Sequence, residues 1–327
     1  VRDGHGVMAP AGFGLTVVVP CRDEEANVVA AHQAIVAELG GHDVEVLFVD
    51  DGSTDATLAL VTGLAAEDPR VHYISFARTF GFEAAFAAGY KYASKPWILH
   101  LDADLQSHPS QAHKLIAAAS DRVDAVFGTR DQRADPALRR WGSTLSELIA
   151  RRVLGIELPR GATTFRLVRT GVARRIVELR RPAPYFLASL PAVTNRYVTV
   201  RTAHQARAAG ASKFTVARLA RHALDLYLGH SAAPATGAAL LLAAAALVAC
   251  AGLVVFGAGV ADAATLLAVL VCLLLAIVPT LALLLRYSVL TAGRGVRALY
   301  YIRESDLPID AADRLHLARS VMGGGAL

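Results

Sequence analysis

The apolar positions open on a β-branched run at residues 15–20, Leu-Thr-Val-Val-Val-Pro, which predicts a buried strand closed by proline. Residues 24–39 switch to helical spacing, with Val28, Val29, Ile35, Val36 and Leu39 in phase and Gly40-Gly41 as the stop. The alternation continues with a strand at 44–49, a helix at 56–67, a strand at 71–76, a helix at 83–93 and a strand at 97–101. A helix at 109–119 and a strand at 125–128 follow, then an arginine-rich, mostly helical stretch at 130–160 and candidate strands at 165–168 and 197–201. Strands alternating with helices predict an α/β, Rossmann-type fold whose mainly parallel sheet carries helices on both faces. Such sheets place ligand sites at the carboxyl ends of their strands.

The pattern changes in kind after residue 213. Residues 214–230 place Arg218, Arg221, His222 and Asp225 opposite Val216, Leu219, Leu226 and Tyr227, an amphipathic helix suited to a bilayer surface. Residues 235–260 and 263–285 are uncharged, each longer than the roughly 20 apolar residues that span a bilayer. Asp262 alone is charged between His230 and Arg286, so the link is short and the pair predicts a helical hairpin. Arg218 and Arg221 precede it, and Arg286, Arg294, Arg297 and Arg303 follow. That asymmetry predicts both hairpin ends in the cytoplasm, with Tyr287, Tyr300 and Tyr301 as an interfacial belt. The expected organisation is a tail at 1–14, a cytoplasmic domain at 15–213, a juxtamembrane helix at 214–230, the two spans, and a cytoplasmic tail at 286–327. Residues 1–14 hold no apolar stretch of signal-peptide length, which agrees with a cytoplasmic body on the inner membrane. The hairpin can pack with copies of itself, giving a homo-oligomer, or simply anchor.

Composition narrows the classes. Of 327 residues, 54% are apolar and 19% charged, too greasy for a disordered chain. The net charge of +5 comes from arginines interleaved with carboxylates, which argues against a nucleic-acid groove. Cys21, Cys250 and Cys272 lie far apart, without metal-ligand spacing or a disulfide framework.

Candidate chemistry gathers at strand ends. Asp102-Ala103-Asp104-Leu105-Gln106 follows the strand at 97–101, and two carboxylates one residue apart can share a hard divalent cation with a diphosphate. Asp50-Asp51-Gly52-Ser53-Thr54-Asp55 follows the strand at 44–49, where Gly52 permits a tight turn and Ser53 or Asp55 can cap the next helix. Arg22, Asp23, Glu24 and Glu25 follow Pro20. Acids at three neighbouring strand ends repel one another unless a cation or polar ligand relieves them.

These three segments resemble glycosyltransferase family 2, of GT-A fold. Arg78-Thr79-Phe80-Gly81 with Ala84, Ala85 and Gly89, then Phe165-Arg166-Leu167, then residues 207–214 (Arg-Ala-Ala-Gly-Ala-Ser-Lys-Phe) narrow the resemblance. With the hairpin, they are similar to polyprenyl-phosphate glycosyltransferases. The resemblance implies a membrane enzyme that moves a sugar, with inversion, from a UDP- or GDP-linked donor to polyprenyl phosphate. It implies that Pro20, Arg22, Glu24, Asp50 and Asp51 line the nucleotide pocket. Asp102, Asp104 and Gln106 would hold Mg²⁺ or Mn²⁺. Arg130 and Arg139 or Arg140 would face the lipid phosphate, and Arg207, Ser212 and Lys213 would lie near the diphosphate and acceptor. The arginine and alanine bias suggests a GC-rich bacterial genome, hence a bacterial polyprenyl acceptor.

Some positions depart from the family pattern. Thr164 stands before Phe165 where the family often has Asp, Ser107-His108 replaces Asp-Pro, and Thr79 replaces Asn. His108 reads as a loop residue rather than a ligand. Two other readings stay open: transfer to a non-phosphate lipid such as diacylglycerol, and a degenerate, non-catalytic scaffold.

Overall fold

A computed structural model describes residues 13–129, 162–179, 186–203, 233–259, 262–292 and 299–314. In chain order the elements are β1 (Gly14–Cys21), α1 (Val28–Leu39), β2 (Asp43–Asp50), α2 (Thr57–Glu67), β3 (Val71–Phe76), α3 (Phe82–Tyr92), β4 (Trp97–His100) and α4 (Ala112–Ala118). There follow β5 (Ala125–Thr129), β6 (Ala162–Arg169), α5 (Thr170–Glu178), α6 (Phe186–Ser189), β7 (Tyr197–Arg201), α7 (Ala233–Gly257), α8 (Ala263–Ala292) and β8 (Ile302–Ser305).

The strands form one eight-stranded sheet in the order β7-β5-β6-β4-β1-β2-β3-β8. The central run from β4 through β1 and β2 to β3 is parallel, as is the pair β5 and β7. The sheet is thus mainly parallel, as expected, with antiparallel pairings where β6 meets β4 and β5 and where β8 meets β3.

The central strands are apolar along their whole length because both faces are covered. Val17 and Val19 of β1 point to a core with Ile35 and Leu39 of α1, Val61 of α2 and Leu115 of α4. Val18 points the other way, to a core with α3, Ile176 of α5 and Phe186 of α6. There α3 lies so close to β1 that a Cβ on Gly89 would meet Val18 Cγ1 at 2.3 Å.

The hairpin helices are long and apolar enough to cross a membrane over Ala235–Gly257 and Ala263–Val289, and they pack against each other. Asp262 Oδ1 accepts the Thr265 N–H at 2.9 Å and caps α8. Beyond α8 the chain differs from the tail expected at 286–327. Its residues 302–305 add strand β8 to the edge of the same sheet. Tyr300, expected in a membrane-interface belt, is instead 4% exposed and stacks on Phe76 with ring centroids 5.0 Å apart. The amphipathic helix expected at 214–230 lies outside the described residues.

Candidate active site

Parallel pairing of β1 with both β2 and β4 brings three acidic strand ends side by side along one edge of the sheet. The turns after β1 and β2 are stitched together. Ser53 Oγ accepts the Asp23 N–H at 3.0 Å, and Asp23 Oδ1 accepts the Thr54 N–H at 2.9 Å. Thr57 Oγ1 accepts the Glu24 N–H at 2.8 Å, and Glu25 Oε2 accepts the Ala56 N–H at 2.9 Å. Asp23 takes φ 53°, a left-handed conformation that Asp tolerates better than most residues. Asp55 accepts the Thr57 N–H at 3.0 Å at the start of α2 and the Glu25 N–H at 3.2 Å. Burial raises its pKa, but these hydrogen bonds outweigh it and hold the carboxyl below its usual value.

Asp50 and Asp51 brace the site from within. Asp50 Oδ1 accepts the Ser53 N–H at 3.0 Å, and its Oδ2 accepts the Ser75 hydroxyl at 2.8 Å. Asp51 Oδ1 accepts the Phe80 N–H at 2.6 Å, and both its oxygens accept the Gly81 N–H, at 3.1 and 3.0 Å. Burial raises the Asp51 pKa, with those N–H bonds and Arg22 opposing it. The turn after β2 touches the turn after β3 backbone to backbone. Gly52 has φ +68°, and a Cβ there would lie 2.7 Å from the carbonyl carbon of Arg78.

At the end of β4, the Leu101 N–H still donates to Val18 O at 3.1 Å, after which the chain leaves the sheet. Thr164 Oγ1 donates to Asp102 Oδ2 at 2.9 Å. Gln106 grips Asp104 twice, its backbone N–H on Oδ1 at 3.2 Å and its Nε2 on Oδ2 at 3.0 Å. Asp102 and Asp104 offer hard oxygen donors suited to Mg²⁺ or Mn²⁺. Among the described residues no cluster of three or more His, Cys, Asp or Glu side chains could hold a metal ion. Such a cation would therefore draw further ligands from a diphosphate and water, as Mg²⁺ commonly does. The donor set fits.

Of the residues expected at the site, Pro20 is buried within β1, and Arg22 is exposed beside Asp23, with Nε 3.7 Å from Oδ2. Glu24 is half-buried and accepts from Asn27 Nδ2 at 2.5 Å. Asp102, Asp104 and Gln106 share one loop. Arg130, Arg139, Arg140, Arg207, Ser212 and Lys213 lie outside the described residues. His108 is a cap, its Nδ1 accepting the Ser110 N–H at 3.3 Å.

Behind the β4 end lies a polar cluster that the sequence reading missed. Arg166 is 2% exposed, donates through Nε and Nη2 to the Tyr90 hydroxyl at 3.0 and 2.7 Å, and lies 4.1 Å from the Phe186 ring centre. His100 Nδ1 lies 3.1 Å from the same hydroxyl, and burial, with Arg166 adding to it, pushes the imidazole well below its usual pKa. Glu83, at the start of α3, accepts the Phe186 N–H; burial pushes it up to about 7, with Arg166 opposing. The one signal was Arg166 itself, an arginine between two apolar strand residues.

Residues 16–177 match the family model Glycosyl transferase family 2. Over 216 residues the chain is 30% identical to the undecaprenyl-phosphate 4-deoxy-4-formamido-L-arabinose transferase of Pseudomonas paraeruginosa, covering 65% of this chain and 63% of that protein. It is 28% identical over 223 residues to the transferase of the same name from Shewanella sediminis, covering 67% of each. The chain thus spans less than two thirds of the length of the Pseudomonas relative. Among solved structures, glucosyl-3-phosphoglycerate synthase from Mycobacterium tuberculosis in complex with phosphoglyceric acid superposes with a TM-score of 0.50 at 18% identity, over 68% of this chain and 81% of that one. The same enzyme with Mn²⁺, UDP-glucose and phosphoglyceric acid also gives 0.50, at 17% identity, over 68% and 79%. The sheet, its acidic strand ends and the family match agree: the chain carries a glycosyltransferase family 2 domain of GT-A fold.

Proposed function

We propose that the chain transfers a sugar, with inversion, from a UDP- or GDP-linked donor to polyprenyl phosphate, giving a polyprenyl-phosphate-linked monosaccharide. The observation that carries this reading is the Asp102–Asp104 pair, each carboxylate gripped by a neutral donor, at the β4 end beside the acidic turns after β1 and β2. The names of the transferases from Pseudomonas and Shewanella support the lipid acceptor.

Asp102 and Asp104 would hold Mg²⁺ or Mn²⁺, which when bound neutralises charge on the departing diphosphate. Gln106 fixes the orientation of Asp104. Asp50 and Asp51 shape the nucleotide pocket by holding its walls together, while Arg22 and Glu24 face the nucleotide. A lipid phosphate monoester has a second pKa near 6, so at neutral pH its oxygen is already charged. That oxygen bonds to the anomeric carbon as the bond from this carbon to the diphosphate breaks. The acceptor therefore needs placement and positive charge more than a strong base, and Arg130, Arg139, Arg207, Ser212 and Lys213 supply these.

The hairpin anchors the domain in the cell membrane. It is inserted in the chain between β7 and β8, two strands of one sheet, so both its ends return to the same side. The arginines that flank it favour the cytoplasmic side.

The reading is tested with membranes containing the chain, a nucleotide sugar and polyprenyl phosphate. Asp104→Asn and EDTA are each expected to cut transfer by about a hundredfold or more. Undiminished transfer in both would refute the cation site. Arg207→Ala and Lys213→Ala test the acceptor assignment, which fails if both keep full transfer.

A further inference from the structure

We propose that Thr164 is a positioning residue for Asp102, and that its hydroxyl sets the divalent-cation affinity of this site; the inference rests on the reading above. β4 and β6 are antiparallel with His100 opposite Arg166, and two further steps in that register bring Asp102 opposite Thr164. The Thr164 hydroxyl closes the gap with its bond to Asp102 Oδ2 at 2.9 Å.

The two partners differ in how firmly they are held. Thr164 belongs to a strand fixed by buried Phe165, Leu167 and Val168, and the Thr163 hydroxyl bonds Gly128 O at 2.9 Å. Asp102 has already left β4 and enters a turn in which Leu105 takes φ 54° and donates its N–H to Asp102 O at 3.2 Å. Its carboxylate therefore takes its orientation from the neighbouring strand. A hydrogen bond to a carboxylate is among the stronger kinds and directional, and outer partners of this sort orient the groups that hold a metal.

Charge gives the arrangement its second consequence. Thr164 serves Asp102 as Gln106 serves Asp104, and both are neutral. Among the described residues the pair is oriented without a third carboxylate, which suits it to one divalent cation.

The test is Mn²⁺ binding to the full chain in detergent micelles with UDP or GDP present, read by electron paramagnetic resonance rather than by turnover. Thr164→Val keeps the shape and removes the donor, Thr164→Ala removes the same donor with less bulk, and Thr164→Ser restores it. We expect Val and Ala to weaken Mn²⁺ binding about tenfold and Ser to stay within about threefold of the parent chain. Melting temperatures should agree within about 2 °C. Parental affinity in Thr164→Val and Thr164→Ala, or a Thr164→Ser variant as weak as they are, overturns the inference while leaving the cation site standing. A parent chain that binds Mn²⁺ neither with UDP nor with GDP present removes the site and the inference together.

Discussion

The carboxylate of Asp51 accepts the N–H of Gly81 on both of its oxygens, at 3.1 and 3.0 Å, and so ties the turn after β2 to the start of α3. The Phe80 N–H on the same carboxylate, at 2.6 Å, completes the clamp. Asp51→Ala leaves both donors without this acceptor and is expected to cost about 2 kcal/mol in denaturant unfolding. Asp51→Asn keeps one acceptor oxygen and should lose less. Equal losses in the two variants would show that the N–H bonds are not what the side chain contributes.

Glu83 makes stability depend on pH. Burial raises its pKa to about 7, so the folded state binds more protons than the unfolded one above the ordinary carboxylate value near 4.5. Its contribution is therefore fully present below that value and is lost as pH rises through about 7. Glu83→Gln fixes the neutral form, and should flatten the stability profile between those values by on the order of 2 kcal/mol. Urea titrations across that range check this; an unchanged slope in Glu83→Gln would contradict it.

The segment after the hairpin is bound into the domain. Asp313 Oδ2 accepts from Lys91 Nζ at 2.8 Å, the Tyr92 hydroxyl at 2.7 Å and the Tyr300 hydroxyl at 3.2 Å. Asp306 accepts the Tyr73 N–H at 2.8 Å and lies 2.7 Å from His72 Nδ1. Asp313→Ala should destabilise the chain by about 2 kcal/mol, since it strips one acceptor from three donors. Protease nicking of residues 299–314 is the sensitive readout, and parental resistance would contradict the clamp.

At Gly89 the expected cost is steric. A methyl group there meets Val18 Cγ1 at 2.3 Å, inside contact distance. Gly89→Ala should cost about 1–3 kcal/mol, and Val18→Ala in the same chain should recover part of it. A variant as stable as the parent would mean that α3 can move away from β1 freely.

Much of this was legible in the residues, and the failures have physical causes. The β-branched runs of β1, β2 and β3 show themselves because strands buried on both faces are apolar throughout. Direction does not show. Phe165 to Val168 reads as the same strand whichever way β6 points, and its antiparallel pairing with β4 is what sets Thr164 against Asp102. β8 was invisible because Ile302-Arg303-Glu304-Ser305 has one apolar residue, and backbone pairing with β3 holds it. The acid run at Asp50 and Asp51 is plain in the residues, yet a carboxylate that accepts backbone N–H groups reads like one that faces a ligand. Asp102, Asp104 and Gln106 do lie together in the loop after β4, a placement that strand-end position and spacing make legible.

The most direct measurement is transfer from a panel of radiolabelled UDP- and GDP-sugars to polyprenyl phosphate, with membranes containing the full chain. We expect a charged lipid-linked product from one donor, lost in Asp104→Asn and with EDTA. No lipid-linked product from any donor, beside a related transferase that works in the same assay, would contradict the proposed reaction.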